Sequence, residues 1–160
     1  MKLTQSILKT QLYYNKNSGL FFWIISKPRV TNGKQAGYLN SHGYISIELN
    51  GRAYQASRLA WLYMTGSFPT LQMDHKNGVR SDNSWKNLRE LSQKRNIQNQ
   101  HNAHSHNISG MLGVSIHKSG FKTEIQNNGK RIYLGCYKTA KEAHAVYLNE
   151  KRRLHSSCTI

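Results

Sequence analysis

Apolar and polar positions along the chain switch between a period of two, which marks strands, and a helical period. Residues 43–49 alternate apolar with polar positions and stop at Asn50 and Gly51. An Asn-Gly pair between two such runs marks a tight hairpin, so 52–56 is the returning strand. Residues 19–25 form an apolar, aromatic run after a turn, and 34–38 make a shorter strand-like piece. Residues 7–14 read as a short helix or turn. Helical spacing returns over 58–64 and ends at Gly66, with Pro69 beyond. A strand over 71–75, a polar loop and a second strand over 87–91 follow, and then a helix for which Ser92 is a suitable N-cap. Residues 100–107 lack apolar periodicity and read as a linker. Three further strands are predicted at 113–117, 121–125 and 130–134, the last two joined by a turn at Asn128 and Gly129. A helix starts after Thr139, and Glu142 is placed to close a capping box. Ala143, Val146 and Tyr147 form its buried stripe.

These elements predict an α+β chain with a strand-rich region over 1–68, a core over 69–100, a linker over 101–107 and a small module over 108–160. An apolar content of 38% supports small cores only. The longest apolar run, 20–25, is far too short for a bilayer, and the first twelve residues lack the apolar stretch of a signal peptide. A cytoplasmic protein with no membrane partner is expected. Cys136 and Cys158 make neither a disulfide framework nor a four-thiolate zinc site. His101, His104 and His106 lack matching cysteines, and no metal is assigned to them.

Charge narrows the choice of partner. Lys and Arg number 23 against 7 Asp and Glu, a net charge of +16. Such a surface favours a polyanion, and nucleic acid is the commonest. The only aspartates, Asp74 and Asp82, fall in one short segment among His and Asn residues. Scattered carboxylates would fit a solvated surface; clustered ones fit a site. Asp74 and His75 lie at the end of a strand, and Asn96 lies on the helix after the next one. Phosphodiester hydrolysis requires a base for water and a positive centre for the phosphate and the departing oxygen. A neutral histidine can be the first, and a hard cation on oxygen ligands the second.

The pattern Asp74-His75, then Asn87-Leu88-Arg89, then a helical Asn96 resembles the HNH endonuclease family, in its phage and intron-associated homing branch. The resemblance implies a central ββα-metal core, also called a His-Me finger. It implies His75 as general base and Asp74 and Asn96 as ligands of one divalent metal ion, Mg²⁺ or Mn²⁺. Asn87 would be the middle motif residue that pins the loop and orients His75, Asn83 a loop brace and Arg89 a phosphate contact. Upstream, 14–19, 43–47 and 58–61 are similar to N-terminal parts of such proteins. Ser57 stands where they usually carry His. Residues 109–114, 121–125, 133–137 and 140–147 resemble the ethylene-response-factor DNA-binding domain, with Phe121 in place of its usual Trp. That likeness makes Lys118, Lys122, Lys130 and Arg131 the candidates for DNA contact. The implied protein is a monomeric endonuclease on double-stranded DNA, in the host cytoplasm if phage-encoded. A DNA-binding regulator that does not cut is the alternative, and an RNA-associated basic protein a further one.

Overall fold

The computed structural model describes residues 3–26, 28, 30–155 and 158–159. Two compact units make up the chain, Met1–Ser92 and Gln93–Ile160. Among the described residues the elements are small antiparallel sheets and four α-helices. No helix among them is long and apolar enough to cross a membrane.

The first unit opens with α1 (Gln5–Lys9), whose N-cap Thr4 accepts a hydrogen bond from the Ile7 amide. The helix stops there, and β1 (Leu12–Asn15) follows it. The helix or turn expected over 7–14 is therefore divided. Leu12 and Tyr14 are buried while Tyr13 is half exposed, an alternation that only a strand gives. β1 pairs with β2 (Leu20–Trp23), which pairs with β3 (Gln35–Ala36). Tyr14 stacks on Phe21 at 4.7 Å between ring centres. A second sheet joins β4 (Tyr38–Leu39), β5 (Ile45–Leu49) and β6 (Arg52–Gln55). Its hairpin turns at Asn50 and Gly51, both left-handed at φ 51° and 75°, the conformation for which Asn-Gly is selected. α2 (Ala56–Thr65) ends at Gly66 and buries Leu59, Ala60 and Leu62 against Leu8, Leu12, Phe21, Ile47 and Leu49. Ser57 is buried in its first turn. β7 (Gln72–His75) and β8 (Leu88–Leu91) close the unit as a two-stranded ribbon that sets Asp74 opposite Arg89 and His75 opposite Leu88.

The second unit begins with α3 (Gln93–Gln98). Residues 101–107 contain no helix or strand. They are nonetheless fastened within this unit, because Asn107 Nδ2 donates to the Met111 and Val114 carbonyls. A sheet of β9 (Val114–His117), β10 (Gly120–Asn127) and β11 (Lys130–Tyr137) follows in the order β11-β10-β9. α4 (Ala140–Leu154) packs behind it, with the Thr139–Glu142 capping box formed in both directions. Val114, Ile125, Ala143 and Tyr147 are its buried apolar residues. One member of the helical stripe is a surprise, since Lys151 is also fully buried. Its ammonium donates to the Gln100 carbonyl and lies 5.8 Å from the centre of the Tyr147 ring.

Candidate active site

The β7–β8 ribbon and the loop between its strands gather most of the chemistry-bearing residues of the first unit. Asp74 and His75 are both buried at the end of β7. Arg89 Nε donates to Asp74 Oδ2 at 2.7 Å, so the carboxylate is charge-compensated across the ribbon. Arg89, expected to contact phosphate, is thus engaged with Asp74.

His75 faces Asn83, with Nε2 and Oδ1 3.2 Å apart. Asn83 Nδ2 donates to the Ser81 carbonyl at 3.1 Å, which turns the amide oxygen toward the imidazole. The His75 proton therefore sits on Nε2. Burial holds the imidazole below its ordinary range, against opposing pulls from Asn83, Asp74 and Asp82. A neutral ring at neutral pH has one lone pair with which to accept a proton. The Tyr44 ring lies 5.9 Å from it, and the Arg80 guanidinium covers Tyr44 while its Nη1 donates to the His42 carbonyl.

Asn87 clamps the loop. Its Oδ1 accepts the Asn77 amide at 3.0 Å, and its Nδ2 donates to the Asp82 carbonyl at 2.7 Å. The Lys76 amide also donates to the Asn87 carbonyl. Asp82 braces the same loop as an acceptor for the Ser84 amide and Asn77 Nδ2. Burial opposes its ionisation, but the hydrogen bonds from Ser84 and Asn77 outweigh that and hold it below the usual carboxylate range. Loss of the clamp in Asn87→Ala strands two backbone groups and should destabilise the chain by about 1–3 kcal/mol. Urea unfolding with an unchanged m-value is the check.

The loop is anchored from the other side as well. Tyr14 Oη donates to the Asn83 carbonyl at 2.6 Å, and the Trp85 amide donates to the Lys16 carbonyl. Burial pushes the Tyr14 hydroxyl far up, so it remains a donor. Trp85 packs on Trp61 at 5.3 Å. Sequence reasoning missed Tyr14, Tyr44 and Arg80. Each lies remote in sequence from its partner or acts through a neighbour, and no spacing rule joins them to the motif.

Asp74 suits a hard divalent cation through its carboxylate oxygens. Among the described residues no three His, Cys, Asp or Glu side chains cluster to hold a metal. A cation here would take few protein ligands and keep its waters, which is how Mg²⁺ is usually bound. Asn96, the expected amide ligand, lies on α3 in the second unit.

The residues expected to contact DNA lie on the β9–β11 sheet or at its turns. Lys122 and Arg131 are on the face turned away from α4, where both approach Glu124, at 2.7 and 4.0 Å. Tyr133, opposite Glu124, is exposed there, and the Lys122 ammonium lies 5.8 Å from its ring centre. Lys118 and Lys130 are exposed at the β9–β10 and β10–β11 turns. Lys122 and Arg131 thus share one open face with the Glu124 carboxylate, whereas Lys130, paired with Asn127, falls on the other side of the pleat and Lys118 lies in a turn.

Known proteins are similar in one stretch above all. Residues 54–98 match the family model described as HNH endonuclease, which runs from β6 through α2 and the β7–β8 ribbon to the end of α3. No curated protein matches the chain. The solved structure of DNA binding and cleavage by the HNH homing endonuclease I-HmuI is similar at 27% identity and a TM-score of 0.43. That likeness covers 56% of this chain and 51% of the other, so the chain spans about half the length of that neighbour. The matched residues 54–98 carry Asp74, His75, Asn87, Arg89 and Asn96.

Proposed function

We propose that the chain is a metal-dependent endonuclease that hydrolyses phosphodiester bonds of double-stranded DNA. The observation that carries this reading is a buried imidazole, neutral at neutral pH and aimed by Asn83, beside the Asp74 carboxylate. The HNH match over 54–98 supports it, and so does a charge of +16. In this reading Asp74 would hold one divalent ion, Mg²⁺ or Mn²⁺. Bound there, such an ion supplies positive charge for the phosphate and the departing 3′ oxygen. His75 takes the proton from the attacking water, a role that contributes about 10²–10⁴-fold in rate when the base is well placed. Asn83 holds the ring at its Nε2 edge, and Asn87 holds the loop that carries Asn83. Arg89 holds the Asp74 carboxylate in place. The β9–β11 module reads the duplex, with Lys118, Lys122, Lys130 and Arg131 on phosphates and base edges.

Supercoiled plasmid incubated with the full chain tests the proposal. Nicked or linear product is expected with Mg²⁺ or Mn²⁺, and none with EDTA. Tight binding with no cutting under any metal would leave a DNA-binding regulator in its place. Preference for single-stranded RNA over duplex DNA would remove both. A footprint spread over both units also sets the salt response. If about eight phosphates are neutralised, log affinity falls against log salt with a slope near −7. Fluorescence anisotropy on a duplex between 50 and 300 mM salt measures it (both concentrations about what such assays use). A slope near −2 would confine contact to two or three phosphates.

A further inference from the structure

Arg89, the arginine expected on phosphate, is taken by Asp74 at 2.7 Å. A second arginine stands near the same imidazole without such a partner. Arg80 is exposed in the loop between β7 and β8. Its Nη1 donates to the His42 carbonyl at 2.9 Å, and its guanidinium carbon lies 5.1 Å from the centre of the Tyr44 ring. That ring is in turn 5.9 Å from the His75 ring. The aliphatic stem of Arg80 passes Gly43, where its Cδ lies 3.9 Å from the place a Cβ would take. Among the described residues no Asp or Glu pairs with Arg80, and Nε and Nη2 have no hydrogen-bond partner.

Neither end of the Arg80–His42 tie depends on it. The turn before β5 is closed by Asn40, whose Oδ1 accepts the His42 and Tyr44 amides and whose carbonyl accepts the Gly43 amide. The loop that carries Arg80 is braced by Asn87 and Asp82. What the contacts fix is therefore the guanidinium itself. A guanidinium stays charged at any physiological pH and presents its N–H groups as a planar fork. With Nη1 committed, the Nε–Nη2 edge remains, two parallel donors that match two oxygens of one phosphate. Seating the plane on an aromatic ring removes in advance part of the side-chain freedom that binding would cost.

We propose that Arg80, seated on Tyr44, takes a backbone phosphate of the DNA strand presented to His75. This role rests on the nuclease reading of the site and adds to it the residue that sets the strand's register on the imidazole. A carboxylate ligand would also fit the fork, but a chain of net charge +16 draws a polyanion.

The test uses the full chain in EDTA with a short fluorescent duplex, so nothing is cut. One phosphate contact contributes about 0.9 to the slope of log affinity against log salt, which is about fivefold in affinity at about 0.15 M salt. Arg80→Gln, an exchange on the surface, is therefore expected to raise Kd about fivefold and to make the slope shallower by about 0.9. Arg80→Lys keeps the charge without the fork and should recover only part of that loss. In the ¹⁵N-labelled chain the Arg80 Nε–H signal, identified by its absence from Arg80→Gln, should move downfield and saturate as duplex is added. Unmoved His75 ring signals in Arg80→Gln are expected, since the loop holds without the arginine. Wild-type Kd and slope in Arg80→Gln overturn the proposal, as do full recovery by Arg80→Lys and an Nε–H signal that the duplex leaves in place. Displaced His75 signals in Arg80→Gln overturn it too, by assigning Arg80 to the packing of the loop. Cleavage does not enter the readout. A plasmid that stays uncut under every metal would remove the nuclease reading while the phosphate contact stands or falls on these data.

Discussion

His75→Ala should lower plasmid cleavage by about 10²–10⁴-fold, the usual contribution of a general base, while duplex affinity stays within about threefold. The two halves of that expectation have different origins. Cleavage falls because water loses its proton acceptor. Affinity holds because it comes from counterion release by many cations spread along the chain, not from a buried neutral ring. His75 is nevertheless part of the packing, tilted against Tyr44 and bonded to Asn83. Its removal should therefore also cost about 1–3 kcal/mol, because Asn83 Oδ1 is left without its donor. Gel assays of single-turnover cutting and anisotropy on the same preparation separate the two. Loss of both together would assign His75 to folding rather than to chemistry.

Gly19→Ala should be the most damaging small change outside the motif. Gly19 sits at φ +75°, and a Cβ built there lies 2.3 Å from the Asn83 carbonyl carbon and from the Ser84 nitrogen. Both neighbours are backbone, so nothing flexible can yield. The left-handed conformation costs roughly 1 kcal/mol for alanine, and forcing the turn off the loop costs roughly 1–3 kcal/mol more. A fall in Tm on the order of 10–20 °C follows for a unit of this size. The clash also pushes on the residue that aims His75, so cleavage should drop further than stability alone explains. Assays well below the new Tm show the difference. An unchanged Tm would mean that the β1–β2 turn does not rest on this loop.

Much of this arrangement is legible in local sequence. Asn50–Gly51 and Asn128–Gly129 mark their hairpins because left-handed pairs are needed there, and both are left-handed. Thr139 and Glu142 mark the start of α4 because a capping box is a matter of four residues. The adjacency of Asp74 and His75 and the place of Asn87 are also local, and Asn87 bonds the Asn77 amide and the Asp82 carbonyl. What pattern does not reveal is long-range. Residues 12–15 become a strand through pairing with 20–23 and through Tyr14 stacking on Phe21. The burial of Lys151 depends on a carbonyl 51 residues away, and a helical wheel marks such a lysine as solvated. The pairing of Arg89 with Asp74 depends on the β7–β8 register, which periodicity leaves open by one residue.

The proposed nuclease reaction requires a divalent cation beside His75, held by Asp74. Titration with Mn²⁺, a paramagnetic stand-in for Mg²⁺, reads this directly from the broadening of histidine ring signals. The stacked pair His104 and His106 serves as an internal rival site. The His75 signals are expected to broaden first, before one equivalent of metal, and Asp74→Asn should remove this response while leaving that of the other histidines. Broadening that begins at His104 and His106, or that persists at His75 in Asp74→Asn, would contradict it.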